Sequence, residues 1–393
     1  MKKVFLFSLF LVLGLVLSQC LPVWLGEAFL TAEKVAKTLM FVCLAFIMIN
    51  VGREFELDKT KWRSYAADYF IAMATAAVPW IMVAFYYMFL LPADLFGNWD
   101  AWKENLLLSR FAAPTSAGIL FTMLAAAGLR REWIYKKTQV LAIFDDLDTI
   151  LLMIPLQIFM IGFKWQLFAV VIVITFLLVI GWKKLGTIRL SQTWKSILFY
   201  AVCIVAVTES IYLLTKWMMG ADGAIHIEVL LPAFVLGMVM KTVHQHGNRD
   251  EKITGMISYL FMFLVGLSTP QFIGIDHGHR ITEAVGIIAA QPMPSWEVLV
   301  VHVIVVTLLS NLGKMFPLFF YRDRQLEERL ALSVGMFPRG EVGAGIIVIA
   351  MGYNLGGPAL IISVLSLVLN LLLTGGFVVI VKRLAQQAYG LKE

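Results

Sequence analysis

The feature that most constrains this chain is an acidic triplet set in an apolar run. Asp145, Asp146 and Asp148 sit in Gln139-Val-Leu-Ala-Ile-Phe-Asp-Asp-Leu-Asp-Thr-Ile-Leu-Leu-Met-Ile-Pro155, within a stretch otherwise apolar from about Val140 to Phe163. A stretch of that length crosses a bilayer as a helix, which takes roughly 20 residues. An ionised carboxylate at the centre of such a helix costs at least about 2.5–3.5 kcal/mol on the insertion scale. A solvated charge run would need water that an apolar helix does not supply. The triplet therefore reads as part of an ion or proton pathway.

Helical geometry separates the three acids. Successive residues turn by about 100° and rise by about 1.5 Å. Asp145 and Asp146 diverge by about 100°, and Asp148 falls about 60° from Asp145 on its other side. Asp146 and Asp148 point nearly opposite ways, so the three cannot all line one small cavity. This spacing makes Asp145 the hinge of the set and Asp146 its cavity-facing partner. Adjacent carboxylates raise each other's proton affinity, and burial raises it further. A pair that titrates near neutrality can trade protons for a cation, because both compete for the same oxygens. Such competition couples two fluxes without any cofactor.

Apolar residues make up 60% of the chain and charged ones only 15%, where a soluble domain carries about a quarter charged. The composition implies an all-α polytopic membrane protein, a single integral membrane domain over residues 1–393 whose length is used by its spans, with no soluble domain. Apolar runs fall roughly at 4–20, 34–51, 65–91, 104–129, 137–163, 166–182, 194–215, 226–241, 253–275, 296–321, 328–352 and 357–381, which makes about 12 transmembrane helices. The first run has the layout of a secretory signal. It closes on Leu17-Ser-Gln-Cys20, and Gln19 is not the small residue that a lipoprotein-type cleavage site wants before its cysteine. An uncleaved first helix is expected. On a twelve-span topology, Lys and Arg divide 23 to 6 between alternate connections. The positive-inside rule then puts the rich set, and both termini, in the cytoplasm. That bias accounts for the net charge of +6 without a nucleic-acid partner. Cys20, Cys43 and Cys203 lie in or beside apolar runs and imply no disulfide framework.

Two spans carry helix breakers at depth. The fourth contains Ala113-Pro-Thr-Ser-Ala-Gly118, and the eleventh contains Phe337-Pro-Arg-Gly-Glu-Val-Gly-Ala-Gly345. Proline removes a backbone donor and glycine is permissive, so both helices can open there. Unwound backbone at membrane depth survives only against protein or a water-filled cavity. Two such segments in separate halves point to a transport site built from inverted repeats, with simple kinks as the plainer alternative. Arg339 and Glu341 sit beside the second break, where half-helix ends present partial charges of both signs. Lys314, in Asn311-Leu-Gly-Lys-Met-Phe-Pro317, lies deep in the tenth span. If that span runs to Tyr321, Lys314 is about 10 Å from its cytoplasmic end, and Asp145 is about 12 Å from the same end of its own helix. The matched depth predicts an Asp145–Lys314 ion pair, with snorkelling of the lysine as the alternative.

At these residues the chain resembles the bacterial sodium/proton antiporters of the NhaA and NapA type, in the cation/proton antiporter superfamily. Leu141-Ala-Ile-Phe-Asp-Asp-Leu147 resembles that family's paired-aspartate motif on the fifth helix. Thr115-Ser116 resembles the polar pair at the break in the fourth, Gly313-Lys314 the tenth-helix lysine, and Pro338-Arg-Gly-Glu341 the Arg-Gly-Glu of several branches at the second crossing. The resemblance implies crossing interrupted helices, fourth and eleventh, in a core of about 65–163 and 296–381 that moves against a dimerisation domain formed by the remaining helices. It implies a homodimer in the lipid of a bacterial inner membrane. It makes Asp146 the principal carboxylate for cation and proton, and Asp145 the partner of Lys314. Paired aspartates go with electrogenic exchange of Na+, or Li+, for more than one proton, with no cofactor and no metal beyond the transported cation. Asp148 stands where the family often has a small residue, and Ser116 where one branch has an aspartate. Asp148 is then a supporting acceptor.

Other signals are weaker. His244-x-His246 and His277-x-His279 lie in connections and lack a cysteine or carboxylate cluster, which disfavours a metal site; a pH-sensing role suits histidine better. Arg110 and Glu209 also lie in spans, where interhelical pairing or position near a span end accounts for them. Gly52-Arg53-Glu54-Phe55 closes the second span and resembles a Gly-x-Glu of relatives, or is a helix-end charge cluster. A K+/H+ antiporter and a sodium-coupled solute symporter of related fold stay open as alternatives. An intramembrane aspartyl protease needs aspartates converging from two helices, and these are neighbours on one. The chain is not expected to be an enzyme.

Overall fold

In a bilayer the backbone must satisfy its own polar groups, and a helix does so within one segment. The computed structural model describes residues 2–25, 28–53, 62–116, 132–161, 172, 175–177, 179–181, 183–184, 186–219, 229–241, 248–268, 286–353 and 355–390. Helices with described bounds follow in the order α1 (Lys2–Leu25), α2 (Ala28–Arg53), α3 (Trp62–Leu90), α4 (Trp99–Ser109), α5 (Trp133–Ile161), α6 (Trp194–Met219), α7 (Leu230–Val239), α8 (Asn248–Leu267), α9 (Trp296–Gly313), α10 (Leu326–Gly335), α11 (Glu341–Gly352) and α12 (Gly357–Tyr389). Among the described residues the β-pairing is confined to an isolated bridge between Ile188 and Met240. The protein is an all-α polytopic membrane protein. Among the described residues, five segments are long and apolar enough to cross a membrane by themselves: Lys34–Arg53, Ala66–Leu90, Trp194–Trp217, Trp296–Phe319 and Gly357–Tyr389. The fourth, fifth, sixth, eighth and ninth expected spans run into residues outside the described set, as do Glu54, Phe55 and the four loop histidines.

The chain divides into two compact units. One comprises Met1–Trp24, Thr60–Leu156 and Val265–Glu393. Within it α3 packs against α4 and α9, and α12 against α9 and α10. Lipid gives apolar helices no hydrophobic reason to prefer one another, so small and polar groups select the contacts. The α9–α12 contact is such a polar ladder. Thr307 Oγ1 hydrogen-bonds Ser366 Oγ at 2.8 Å, and Asn370 Nδ2 donates to Asn311 Oδ1 at 2.9 Å, both across 59 residues, so the two helices run parallel in register. Tyr87 of α3 joins Ser363 on the same face of α12 at 2.7 Å.

Near the start of α3 a second clasp forms in this unit. Asp68 accepts from Lys137 Nζ of α5 at 2.9 Å on each oxygen and from the Tyr321 hydroxyl at 2.9 Å. Tyr321 adopts a left-handed backbone with φ 53°, a conformation that costs about 1–3 kcal/mol for such a residue. The Asp68 bond helps to hold it.

The other unit comprises Leu25–Lys59 and Gln157–Leu264. Within it α2 packs against α6 and α7. The α2–α7 crossing is glycine against glycine. A Cβ on Gly52 would stand 2.1 Å from the Phe234 carbonyl oxygen, and one on Gly237 would stand 2.2 Å from the Ile49 carbonyl oxygen. Both obstacles are backbone, which cannot rotate away. Gly237→Ala is therefore expected to lower thermal stability by about 1–3 kcal/mol, the usual cost of overpacking, measured as the unfolding midpoint of purified protein in detergent. An unchanged midpoint would mean that the helices separate without penalty. Just beyond this crossing Arg53 donates to Asn50 Oδ1 and to Gln192 Oε1, each at 2.9 Å, so its charge is tied down inside this unit.

Candidate ion-binding site

The acidic triplet lies in the middle of α5, and all three side chains are sealed from solvent, at 0%, 1% and 2% exposure for Asp145, Asp146 and Asp148. Each charge at this depth needs an explanation from its neighbours.

Lys314 supplies the first. Pro317 cannot donate to the Gly313 carbonyl and its ring crowds that position, so α9 stops at Gly313 and the chain tightens into a 3-10 turn, Phe316–Phe319. The expected helix out to Tyr321 is thus shorter than the apolar run. Lys314 caps the shortened helix with zero exposure, and its ammonium sits 2.9 and 2.8 Å from the two oxygens of Asp145. Gly313 lets it reach there, because a Cβ at that position would stand 2.5 Å from the Pro79 backbone of α3. Gly313→Ala is accordingly expected to lower thermal stability by about 1–3 kcal/mol, the usual cost of overpacking, measured as the unfolding midpoint in detergent. A midpoint identical to wild type would show that α3 and α9 need not touch.

The fourth segment supplies the next donor. After α4 the chain makes a 3-10 turn, Arg110–Ala112, and then runs without helical bonding through Pro114 to Ser116; residues 117–131, with Ala117 and Gly118 of the expected break, lie outside the described set. Free of helical bonds, the Thr115 N–H donates to Asp145 Oδ2 at 2.8 Å. Thr115 Oγ1 donates to the Met336 carbonyl at 3.0 Å and the Ser116 N–H to the Pro338 carbonyl at 2.8 Å. The second segment with breakers lies there: α10 ends at Gly335, residues 337–340 are non-helical, and α11 begins at Glu341.

Arg339 fills the gap between those two helices. Its guanidinium donates to the Met336 carbonyl at 3.1 Å, the Phe337 carbonyl at 2.7 Å and, across to α9, the Ser310 carbonyl at 2.9 Å. A cation on carbonyls left over at a helix C-terminus is favourable both as a cap and against the helix dipole. The Arg339 N–H donates to Asn370 Oδ1 at 2.9 Å, so the α9–α12 ladder also holds the non-helical segment. Glu341 opens α11, and its side chain lies outside the described residues.

Asp148 turns away from Asp146, as the helical angles require, and meets Arg110. One guanidinium nitrogen lies 3.0 Å from the Asp148 carbonyl and 3.2 Å from its carboxylate. The Trp80 ring covers the guanidinium at 4.3 Å, and Trp80 is itself locked by an indole bond to the Leu106 carbonyl at 2.7 Å. Arg110 is visible in the sequence as a charge within a span, but its partner Asp148 and the contacts of Ser310, Asn311 and Asn370 are not. The spacing of Ser363, Ser366, Asn370 and Thr374, three or four residues apart along an apolar helix, was the available signal for the ladder. Among the described residues no group of three or more His, Cys, Asp or Glu side chains is disposed to hold a metal ion.

Buried acids and bases, gathered where two non-helical segments meet inside an all-helical apolar protein, define a membrane transporter of ions. The sodium/hydrogen exchanger family profile matches residues 2–385 of the 393, and the chain belongs to that family of cation/proton antiporters, which are transporters and not enzymes. A solved structure of similar fold is that of the sodium proton antiporter MjNhaP1 from Methanocaldococcus jannaschii at pH 8; the two share 12% identity and a TM-score of 0.58 over 95% of this chain and 91% of that one. No curated protein matches the chain by sequence.

Proposed function

We propose that this protein carries a monovalent cation, Na+ first and Li+ second, against more than one proton across a bacterial inner membrane by alternating access. In this reading Asp146 is the carboxylate for which cation and proton compete. Asp145 stands ready beside it, held by Lys314 and the Thr115 N–H until a cation draws it away. Thr115 and Ser116 present backbone and hydroxyl oxygens at the break in the fourth segment, and Arg339 stabilises the break opposite. The compact unit that contains every one of these residues is the ion-carrying core, and the protein works as a homodimer in lipid. The single observation that carries the reading is the Asp145–Lys314 pair at zero exposure next to Asp146, in a member of an antiporter family.

Purified protein in liposomes tests it, with proton flux followed as Na+, Li+ and K+ are added in turn. Flux with Na+ and Li+ is the expected result. Flux with K+ alone would make the protein a K+/H+ antiporter, and none with any cation would refute antiport. This reading has both termini in the cytoplasm. With Cys20, Cys43 and Cys203 replaced, a cysteine introduced in the turn at Gly356–Pro358 is expected to react with an impermeant thiol reagent from outside the cell. Labelling from inside only would invert the topology.

A further inference from the structure

Arg110 and Asp148 stand apart from the proposed exchange chemistry, yet they are as deeply buried as the residues within it. Of the 32 Lys and Arg residues, three fall in neither set of connections: Arg110, Lys314 and Arg339. Lys314 holds a carboxylate of the site and Arg339 caps a helix end. Arg110 does something different: it joins the same two segments that the Thr115–Asp145 bond joins.

Two ties hold the fourth segment, at its break, to one turn of α5. At the far tie, Arg110 grips both the backbone and the carboxylate of Asp148; at the near tie, the Thr115 N–H meets Asp145. Asp145 and Asp148 are three residues apart, about 4.5 Å along the helix axis. Between Arg110 and Thr115 the chain has little freedom, because Ala113 N–H closes a tight turn onto the Arg110 carbonyl at 2.9 Å and Pro114 has a fixed φ. The result is a small closed loop with one face on the ion site. Trp80 backs the guanidinium, so Arg110 has little room to shift on that side.

We propose that Arg110 and Asp148 are positioning residues for the ion site, the pair setting where the Thr115 N–H meets Asp145 while keeping the Asp148 carboxylate out of the cation's reach. The proposal rests on the reading of Asp145 and Asp146 as that site. It gives the extra acid of this chain a function: Asp148 is the counter-charge of Arg110, and Asp146 keeps the cation. The pair acts on affinity rather than on the exchange step, because it touches neither cation nor proton.

The test separates position from stability. A buried ion pair replaced by apolar residues of similar volume often leaves stability unchanged, whereas removal of one partner is damaging. The double variant Arg110→Met/Asp148→Leu is therefore the informative one, beside Arg110→Lys, which keeps the charge and shortens the arm, and Asp148→Asn, which keeps the shape and loses the charge. Each is reconstituted in liposomes, and the cation concentration for half-maximal proton flux is measured together with the maximal flux and the thermal midpoint in detergent. The expected result for the double variant is a wild-type midpoint, a maximal flux within about threefold of wild type, and a half-maximal concentration raised about tenfold or more, the usual cost of losing a residue that orients an ion ligand. Arg110→Lys should fall between that and wild type. A double variant with wild-type cation dependence would overturn the proposal, leaving the pair a purely structural bridge. Abolition of flux at saturating cation by Asp148→Asn would also overturn it, by making Asp148 a direct ligand. A wild-type protein inert to every cation would instead refute the antiport reading itself, so the two failures are told apart.

Discussion

Asp146→Asn is expected to abolish cation-driven proton flux while leaving the protein folded in the membrane. Asparagine has the shape of aspartate and keeps one acceptor oxygen, so packing around this 1%-exposed side chain is preserved. What disappears is the negative charge that a desolvated cation needs and the group that a proton can occupy in its place. The expected loss is about a hundredfold or more in flux at saturating Na+, since even outer-shell substitutions at ion sites cost about 10–100-fold in affinity. Flux in liposomes and abundance in membranes are the two measurements, and normal exchange would sink the assignment. Asp145→Asn serves as the contrast. It leaves the Lys314 ammonium, which has two contacts to Asp145 within 2.9 Å, without its counter-charge. That variant should lose thermal stability as well as transport.

Lys314→Gln is expected to spare exchange but remove its response to membrane voltage. A cation that draws Asp145 away leaves the lysine buried with no counter-charge, and a desolvated ammonium sheds its proton. With one further proton lost from Asp146, two protons move against each monovalent cation, and the cycle carries net charge. Glutamine cannot carry that second proton, so exchange in the variant becomes one for one. The Thr115 N–H still donates to Asp145 Oδ2, which keeps the carboxylate partly satisfied. The broken pair nevertheless costs about 3–5 kcal/mol, so thermal stability should fall. Flux in liposomes under an imposed potassium–valinomycin potential measures the effect. A variant that follows voltage as steeply as wild type would refute this scheme and leave Asp145 and Asp146 as the two proton carriers.

Sequence periodicity placed Asp145 and Lys314 at matching depth, and the structure puts them 2.8 Å apart. It placed Asp148 on the side of α5 turned away from Asp146, and Asp148 meets a different partner there. The angle of Asp148 follows from helix geometry, because rotation per residue fixes angles along one segment without reference to its neighbours; the depth of Lys314 assumes a helix out to Tyr321, and the pair forms although that helix ends at Gly313. The helix end at Gly313 was less legible. The apolar run continues to Tyr321, and only the local conflict between Pro317 and the preceding turn ends the helix early.

The sequence by itself determined that this is an all-helical membrane protein, that its three acids sit inside an apolar run, and that proline and glycine interrupt regular bonding in the segments near them. Those properties are local or cumulative along the chain: an apolar run is long enough or not, and a proline donates no hydrogen bond wherever it stands. Only the tertiary structure decided which base answers which acid. Arg110, Lys314 and Arg339 are equivalent in the sequence, three cations in apolar surroundings. Their fates differ because Trp80 backs the first onto Asp148, the close approach of Gly313 to Pro79 brings the second to Asp145, and the third meets the open carbonyls of Met336 and Phe337. A buried charge must be satisfied by some neighbour. Which neighbour stands within 3 Å is set by how helices rotate and approach one another, and that information is carried by contacts between residues far apart in the chain.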